Sequence, residues 1–236
     1  MEKVVYITGG TKGIGYGVAK KLIEAGYRVA ISGRNMEDAK KAAKSIGNEE
    51  KIIGLGSDVR KLESEEKAVA AIKKHFGRLD VVIANAGLGV FANIRDLKPE
   101  DWHNMIDTNL TGVFNTIKAS VEELVANKGY FISIASLAGI NFFAGGSGYN
   151  ASKFGVVGFT QAVMLDLRAE GVKTTTILPG SVTSHFNNHQ PNLDEDVWKI
   201  QPEDIGELIV DILKMNHRSL PSKIEIRPTQ TAQMLK

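Results

Sequence analysis

Cysteine is absent from the 236 residues. That excludes disulfide staples and thiol catalysis, and it suits a reducing, cytoplasmic setting. Proline is scarce, at six residues, and no Pro/Ser-rich linker interrupts the pattern, so a single domain spanning 1–236 is expected. Apolar runs stay far short of the roughly 20 residues that cross a bilayer. The run that begins at Val4 is also too short for a secretion signal core. Neither charge sign dominates. A net charge of +2 with scattered basic residues gives no footprint for nucleic acid. His185 and His189 lack a convincing set of metal-ligating partners, so no metal is expected. Internal repeats and low-complexity tracts are missing too. What remains is 43% hydrophobic and 24% charged, an ordinary balance for a chain with a large core.

Strand and helix signals alternate along the chain. Continuous apolar or β-branched runs lie at 4–7, 28–32, 51–56, 79–85, 129–136, 173–179 and 223–226. Helical spacing of apolar residues falls between them, near 14–25, 36–46, 64–76, 99–126, a long stretch ending near Gly171, and 202–215. Strands that are apolar throughout, rather than alternately, are buried on both faces. A parallel sheet covered by helices on each side follows. In such doubly wound α/β sheets a ligand lies beyond the C-terminal strand ends, at the switch point in strand order. The residues that follow each strand are therefore the candidates for function.

After the first strand comes TGGTKGIG, with Gly9, Thr11, Lys12, Gly13, Ile14 and Gly15 between strand and helix. Glycines there permit a tight turn and let a pyrophosphate approach the backbone, while the helix N-terminus offers N–H groups and a positive dipole end. The spacing is not GxGxxG, and a plain tight turn is the alternative. After the second strand, Ser32, Gly33 and Arg34 stand where users of NAD carry an acidic residue for the ribose hydroxyls. Arg34, with Lys12, suits a 2′-phosphate, so NADPH is expected over NADH. Two solvated surface cations are the bland alternative. Asp58 and Val59 follow the third strand, and Asp58 is read either as an acceptor for an adenine amino group or as a turn cap. Asn85, Ala86 and Gly87 follow the fourth, where small residues let a cofactor lie against the backbone. Ser136 follows the fifth. Pro179, Gly180, Val182 and Thr183 follow the sixth.

The stretch GYNASKFG (148–155) spaces Tyr149 and Lys153 four residues apart, on one helix face. A free phenol with a pKa near 10 must drop by roughly 3 units to trade protons near neutrality, which takes about 4 kcal/mol. One ammonium about 4.5 Å away, at an effective dielectric of about 20, supplies roughly 3.7 kcal/mol. On that arithmetic a single lysine suffices. A surface pair is the bland alternative for an isolated Y-x-x-x-K.

In chain order, TGGTKGIG, NAG, Asn109 in DTNLTG, Ser136, YNASK and the PG at 179–180 together resemble the short-chain dehydrogenase/reductase family, over almost the whole chain. The resemblance implies a single Rossmann domain with about seven parallel strands, a nicotinamide cofactor and carbonyl/alcohol interconversion. It carries the active-site set onto Asn109, Ser136, Tyr149 and Lys153. Tyr149 would exchange the proton and Ser136 would hold the substrate oxygen. Lys153 would also bind the nicotinamide ribose, and Asn109 would help a water relay protons to it. Tyr149 and Lys153 thus count among the cofactor contacts as well. Self-association as a homodimer or homotetramer through the helices flanking the fifth strand is also implied.

Substrate is less legible. Leu88, the stretch 137–147 with Phe142 and Phe143, and the polar segment 184–200 are the expected lining, the last as a lid. A small carbonyl or hydroxy-acid substrate is favoured. A 3-oxoacyl thioester reductase is the alternative, weakened because IEIRPTQ lacks the glycine-rich ending common in that branch. A nucleotide-binding regulator or scaffold is the reading of a different class.

Overall fold

The structure is a computed structural model and describes residues 2–184, 186, 190–192 and 194–231. Seven strands form one sheet: β1 (Val4–Ile7), β2 (Arg28–Gly33), β3 (Ile52–Gly56), β4 (Val81–Ala84), β5 (Tyr130–Ile134), β6 (Lys173–Pro179) and β7 (Lys223–Ile226). Their order is β3-β2-β1-β4-β5-β6-β7, and every pairing is parallel. The order reverses between β1 and β4, which opens a crevice beyond the C-terminal ends of those two strands.

Seven α-helices cover the faces: α1 (Gly13–Glu24), α2 (Met36–Ile46), α3 (Leu62–Phe76), α4 (Pro99–Ile106), α5 (Gly112–Asn127), α6 (Ser147–Leu167) and α7 (Pro202–Lys214). Alternate strand residues go to opposite layers. Val5 and Ile7 join Val18, Leu22 and Ile209 on one side. Val4 and Tyr6 join Ile72, Val113 and Val156 on the other. Both layers need apolar residues, which is why the strands read as unbroken apolar runs.

The expected elements appear with small shifts at their ends and one difference in kind. The helix expected over 99–126 is interrupted by a π-helical turn at Asp107–Thr111. The wider turn presents Asn109 to the interior, where it is wholly buried. The segment after β6 is tied down at its far end. Val182 bridges Ile200, the Thr183 N–H donates to the Ile200 carbonyl at 2.9 Å, and Lys199 pairs with the buried Asp196. His185 and His189 lie outside the described residues. Among the described residues no group of three or more His, Cys, Asp or Glu could hold a metal, and no helix is long and apolar enough to cross a membrane.

Candidate active site

The glycine turn after β1 is forced by close packing. Gly9 sits at φ +64°, and a Cβ there would meet the Ala86 Cα at 2.8 Å. A Cβ on Gly15 would meet the Asn85 amide nitrogen and the Gly9 carbonyl, both at 2.6 Å. Asn85 holds this turn, since its Nδ2 donates to the carbonyls of Thr8 and Gly9 at 2.9 and 3.1 Å. The Thr8 hydroxyl accepts from the N–H groups of Asn85 and Ala86. The side chain of Asn85 is thus structural, and the backbone of 85–87 is what faces the crevice.

The two helix N-termini near the crevice differ. At α2, Asn35 Oδ1 accepts from the N–H groups of Glu37 and Asp38 at 2.8 and 3.2 Å, a closed cap. At α1 the capping position is Lys12, and it makes no side-chain cap. The first N–H groups of α1 are therefore free to meet an anion. Beside them lies an open cavity of about 540 Å³, lined among others by Thr11, Lys12, Tyr16, Arg34, Asp38 and Lys41. Three cations converge there against one carboxylate. Lys41 was not among the residues expected from the sequence, because it lies a helical turn and more beyond the end of β2.

Four residues at or beyond the ends of β2, β3 and β6 have side chains or carbonyls engaged within the protein. Ser32 is buried, and its hydroxyl accepts from Tyr6 at 3.0 Å, so its side chain faces the core rather than the cavity. Asp58 gives its carboxylate to Arg60, with Nε and Nη2 contacts at 2.9 and 2.7 Å, and caps the Arg60 N–H as well. The Arg60 guanidinium holds that carboxyl below its usual value. This is the turn-cap role of the two expected for Asp58. Val59 is a core residue whose carbonyl accepts from Asn115. Thr183 is buried and accepts from the Gln201 side chain at 3.1 Å. Pro179 pairs with Ile226 at the end of β6, and the Gly180 N–H continues that ladder to the Ile226 carbonyl at 2.8 Å.

Beyond β5 and at the start of α6 the expected set comes together. Ser136 caps a short 3-10 turn (Leu137–Gly139), accepting from the Ala138 N–H at 3.1 Å, and its hydroxyl stands close enough to Tyr149 to pull the phenol's pKa down. Lys153, one turn along α6 from Tyr149, is buried. Its Nζ donates to the Ile134 carbonyl at 3.0 Å and lies 5.8 Å from the centre of the Tyr149 ring. Asn109 fixes the floor. Its Oδ1 accepts from the Leu88 N–H at 2.8 Å, and its Nδ2 donates to the Leu88 carbonyl and to Ser152 Oγ at 2.8 and 2.9 Å. Both polar atoms of that side chain are engaged in holding neighbours. Ser152 in turn donates to the Tyr149 carbonyl at 2.8 Å. Asn150 donates to the carbonyls of Ala138 and Asn141, which steadies the loop that carries Ser136. Ser152 and Asn150 lie inside the YNASK motif, and their roles appear only in three dimensions.

Electrostatics depart from the sequence arithmetic. Burial pushes the Tyr149 phenol up to about 12, with the Ser136 hydrogen bond pulling weakly the other way. Burial also pushes the Lys153 ammonium down to about 8. Desolvation therefore outweighs the attraction expected between the pair in the ligand-free cleft. Rings and aliphatic side chains cover the phenol. Phe91 meets Tyr149 edge-on at 5.5 Å, and Phe186 meets it at 5.3 Å. Leu88 packs in the same cluster, and Phe143 touches Phe91, whereas Phe142 is 86% exposed and points away. Phe91 was not foreseen; it follows NAG by only a few residues in GLGVF.

Comparison with known proteins places the chain in a family. The family described as short chain dehydrogenase matches residues 3–194, and the chain belongs to that family of oxidoreductases. An uncharacterized oxidoreductase of Staphylococcus aureus is 31% identical over 229 residues, covering 96% of this chain and 97% of the relative. Among solved structures, an alcohol dehydrogenase from the archaeon Thermococcus sibiricus, complexed with 5-hydroxy-NADP, superposes with a TM-score of 0.91. It is 28% identical, with 97% of each chain covered. A serine dehydrogenase complexed with NADP+ has a TM-score of 0.86 at 27% identity, with 94% of each chain covered.

Proposed function

We propose that the protein is an NADP(H)-dependent oxidoreductase that interconverts a carbonyl and an alcohol on a small substrate. The observation that carries this reading is the convergence of Ser136, Tyr149 and Lys153 on one cleft at the C-terminal strand ends. The uncapped N-terminus of α1 and the cationic cavity fit a dinucleotide with a 2′-phosphate. Arg34, Lys12 and Lys41 would hold that phosphate, and the backbone at 85–87 and 179–183 would line the rest. Two related structures of known activity are solved with NADP or a derivative of it.

When bound, the nicotinamide supplies the hydride that reaches the carbonyl carbon. Tyr149 gives its proton to the carbonyl oxygen, which completes the alcohol, and Ser136 donates a hydrogen bond to the same oxygen as its charge develops. Lys153 stabilises the phenolate left on Tyr149 and returns a proton to it. Asn109 acts as a positioning residue: it holds Leu88 on one side and Ser152 on the other, and Ser152 holds the turn that bears Tyr149. The 184–200 segment acts as the substrate lid of the single domain, anchored at its Ile200 end. Exposed Phe114, Phe154 and Leu165 on α5 and α6 support a self-associating face and a homodimer or homotetramer. We place the protein in the cytoplasm.

The test follows NADPH and NADH oxidation with aldehydes, ketones, diketones, 3-oxo acids and 3-oxoacyl thioesters. At least one carbonyl is reduced, and Tyr149→Phe lowers kcat by about 10²–10⁴-fold. Binding of NADPH without turnover of any carbonyl sinks the enzymatic reading and favours a nucleotide-binding regulator.

A further inference from the structure

The cleft above Tyr149 is walled by rings. Phe91 touches Phe143 edge-on at 5.2 Å, Tyr149 at 5.5 Å and Phe186 at 6.2 Å. These rings come from three separate segments: the loop after β4, the loop after β5 and the segment after β6. The tip of the Phe186 ring abuts Gly89, where any Cβ would collide with it. Phe91 and Phe143 stay 41% and 44% exposed, so they contribute more to the cleft wall than to the core. Leu88, Val90, Leu97, Met105 and Ala138 pack in the same apolar cluster as Tyr149.

Charge is scarce in this place. Lys153 is the charged side chain that the described contacts set against Tyr149, 5.8 Å from its ring centre, and it gives one N–H to the Ile134 carbonyl. The cations Lys12, Arg34 and Lys41 belong to the cavity at the end of β2, not to this cleft. A substrate carboxylate next to the reacting carbonyl would lose its water among these rings and aliphatic side chains, and that is unfavourable. An aromatic substituent would find ring edges and faces in the arrangement that π-systems favour.

Resting on the carbonyl-reductase reading of this site, we propose that Phe91, Phe143 and Phe186 form a specificity box that selects an uncharged carbonyl compound bearing an aryl group and excludes oxo acids.

Four substrates separate charge from ring: butane-2,3-dione, pyruvate, 1-phenylpropane-1,2-dione and benzoylformate. Each acid replaces one acetyl group of its neutral partner by a carboxylate. With NADPH saturating, kcat/KM for each neutral diketone exceeds that of its acid by at least ~100-fold. The phenyl diketone exceeds the methyl one by about 10-fold or more. Phe91→Ala and Phe186→Ala each shrink that phenyl-to-methyl ratio about 5- to 10-fold, chiefly through KM, and Phe91→Leu shrinks it less. Circular dichroism and NADPH affinity of the variants report whether the fold persists. Parity between acid and diketone overturns the inference, as does a phenyl-to-methyl ratio that the ring deletions leave intact. In either case Tyr149-dependent reduction of butane-2,3-dione leaves the reductase reading standing. Loss of all Tyr149-dependent turnover removes both.

Discussion

The Lys153 ammonium lies 5.8 Å from the centre of the Tyr149 ring, yet its hydrogen bond goes to the Ile134 carbonyl. In the ligand-free cleft burial holds each member of the pair away from its charged form. Lys153 is the member that titrates within the working range.

The free enzyme should therefore lose reductase activity as Lys153 deprotonates. With Tyr149 near 12 the proton donor is present at any practical pH, so the break belongs to the lysine. The expected profile of log kcat/KM for reduction is level below pH 7 and falls above about 8. Rates from pH 6 to 10 check this. A profile level to pH 10 contradicts the assignment.

Lys153 should also cost the fold stability. Its folded pKa, about 8, is depressed from 10.5, so the unfolded chain binds the proton more tightly. Stability from this group rises as pH climbs from 8 to 10.5 and carries its full penalty of about 3 kcal/mol below 8. Lys153→Met removes that penalty but leaves the Ile134 carbonyl without a donor, which costs about 1–2 kcal/mol. Urea unfolding at pH 7 should find the variant more stable by about 1–2 kcal/mol and inactive. A variant less stable than the parent at pH 7 would contradict this.

Cofactor choice should follow the cavity at the end of β2. Arg34→Asp replaces a phosphate partner by a repelling carboxylate and should lower the NADPH-to-NADH ratio of kcat/KM by about 10²-fold or more. Lys41→Ala removes one of the three cations and should lower it about 3- to 10-fold. NADH kinetics provide the internal reference. Equal losses with both cofactors would place these side chains outside the phosphate site.

Glu65, in the first turn of α3, is wholly buried. Its Oε1 accepts from Ser57 and Tyr6 at 2.6 and 3.0 Å, while Oε2 has no partner among the described residues. The nearby Thr116 hydroxyl donates to the Gly112 carbonyl instead. Burial raises the Glu65 pKa above 4.5. The folded state thus holds the proton more tightly, and stability is lost as pH rises from 4.5 through the raised value. Glu65→Gln keeps the acceptor and removes this titration. Measured by urea midpoint, the variant should gain on the parent between pH 5 and 7. A constant difference across that interval refutes the reading.

The sequence alone determined the layered α/β fold and pointed to the members of the candidate site. Strands buried on both faces must be apolar at every position, so VVYI, VVIA and YFISI announce a covered parallel sheet. Tyr149 and Lys153 share a helix face by spacing alone, and the glycine turn after β1 is a local requirement of backbone geometry. Tertiary structure decided how each residue is used. Asn109 serves Leu88 and Ser152, which are 21 and 43 residues away in the chain. Ser32 turns inward because Tyr6 waits on the neighbouring strand, and Asp58 is claimed by Arg60. The protonation of Tyr149 depends on Phe91 and Phe186, brought from distant loops. Periodicity and turn chemistry are written in neighbouring residues, whereas desolvation and hydrogen-bond partnership depend on what the folded chain places alongside each group.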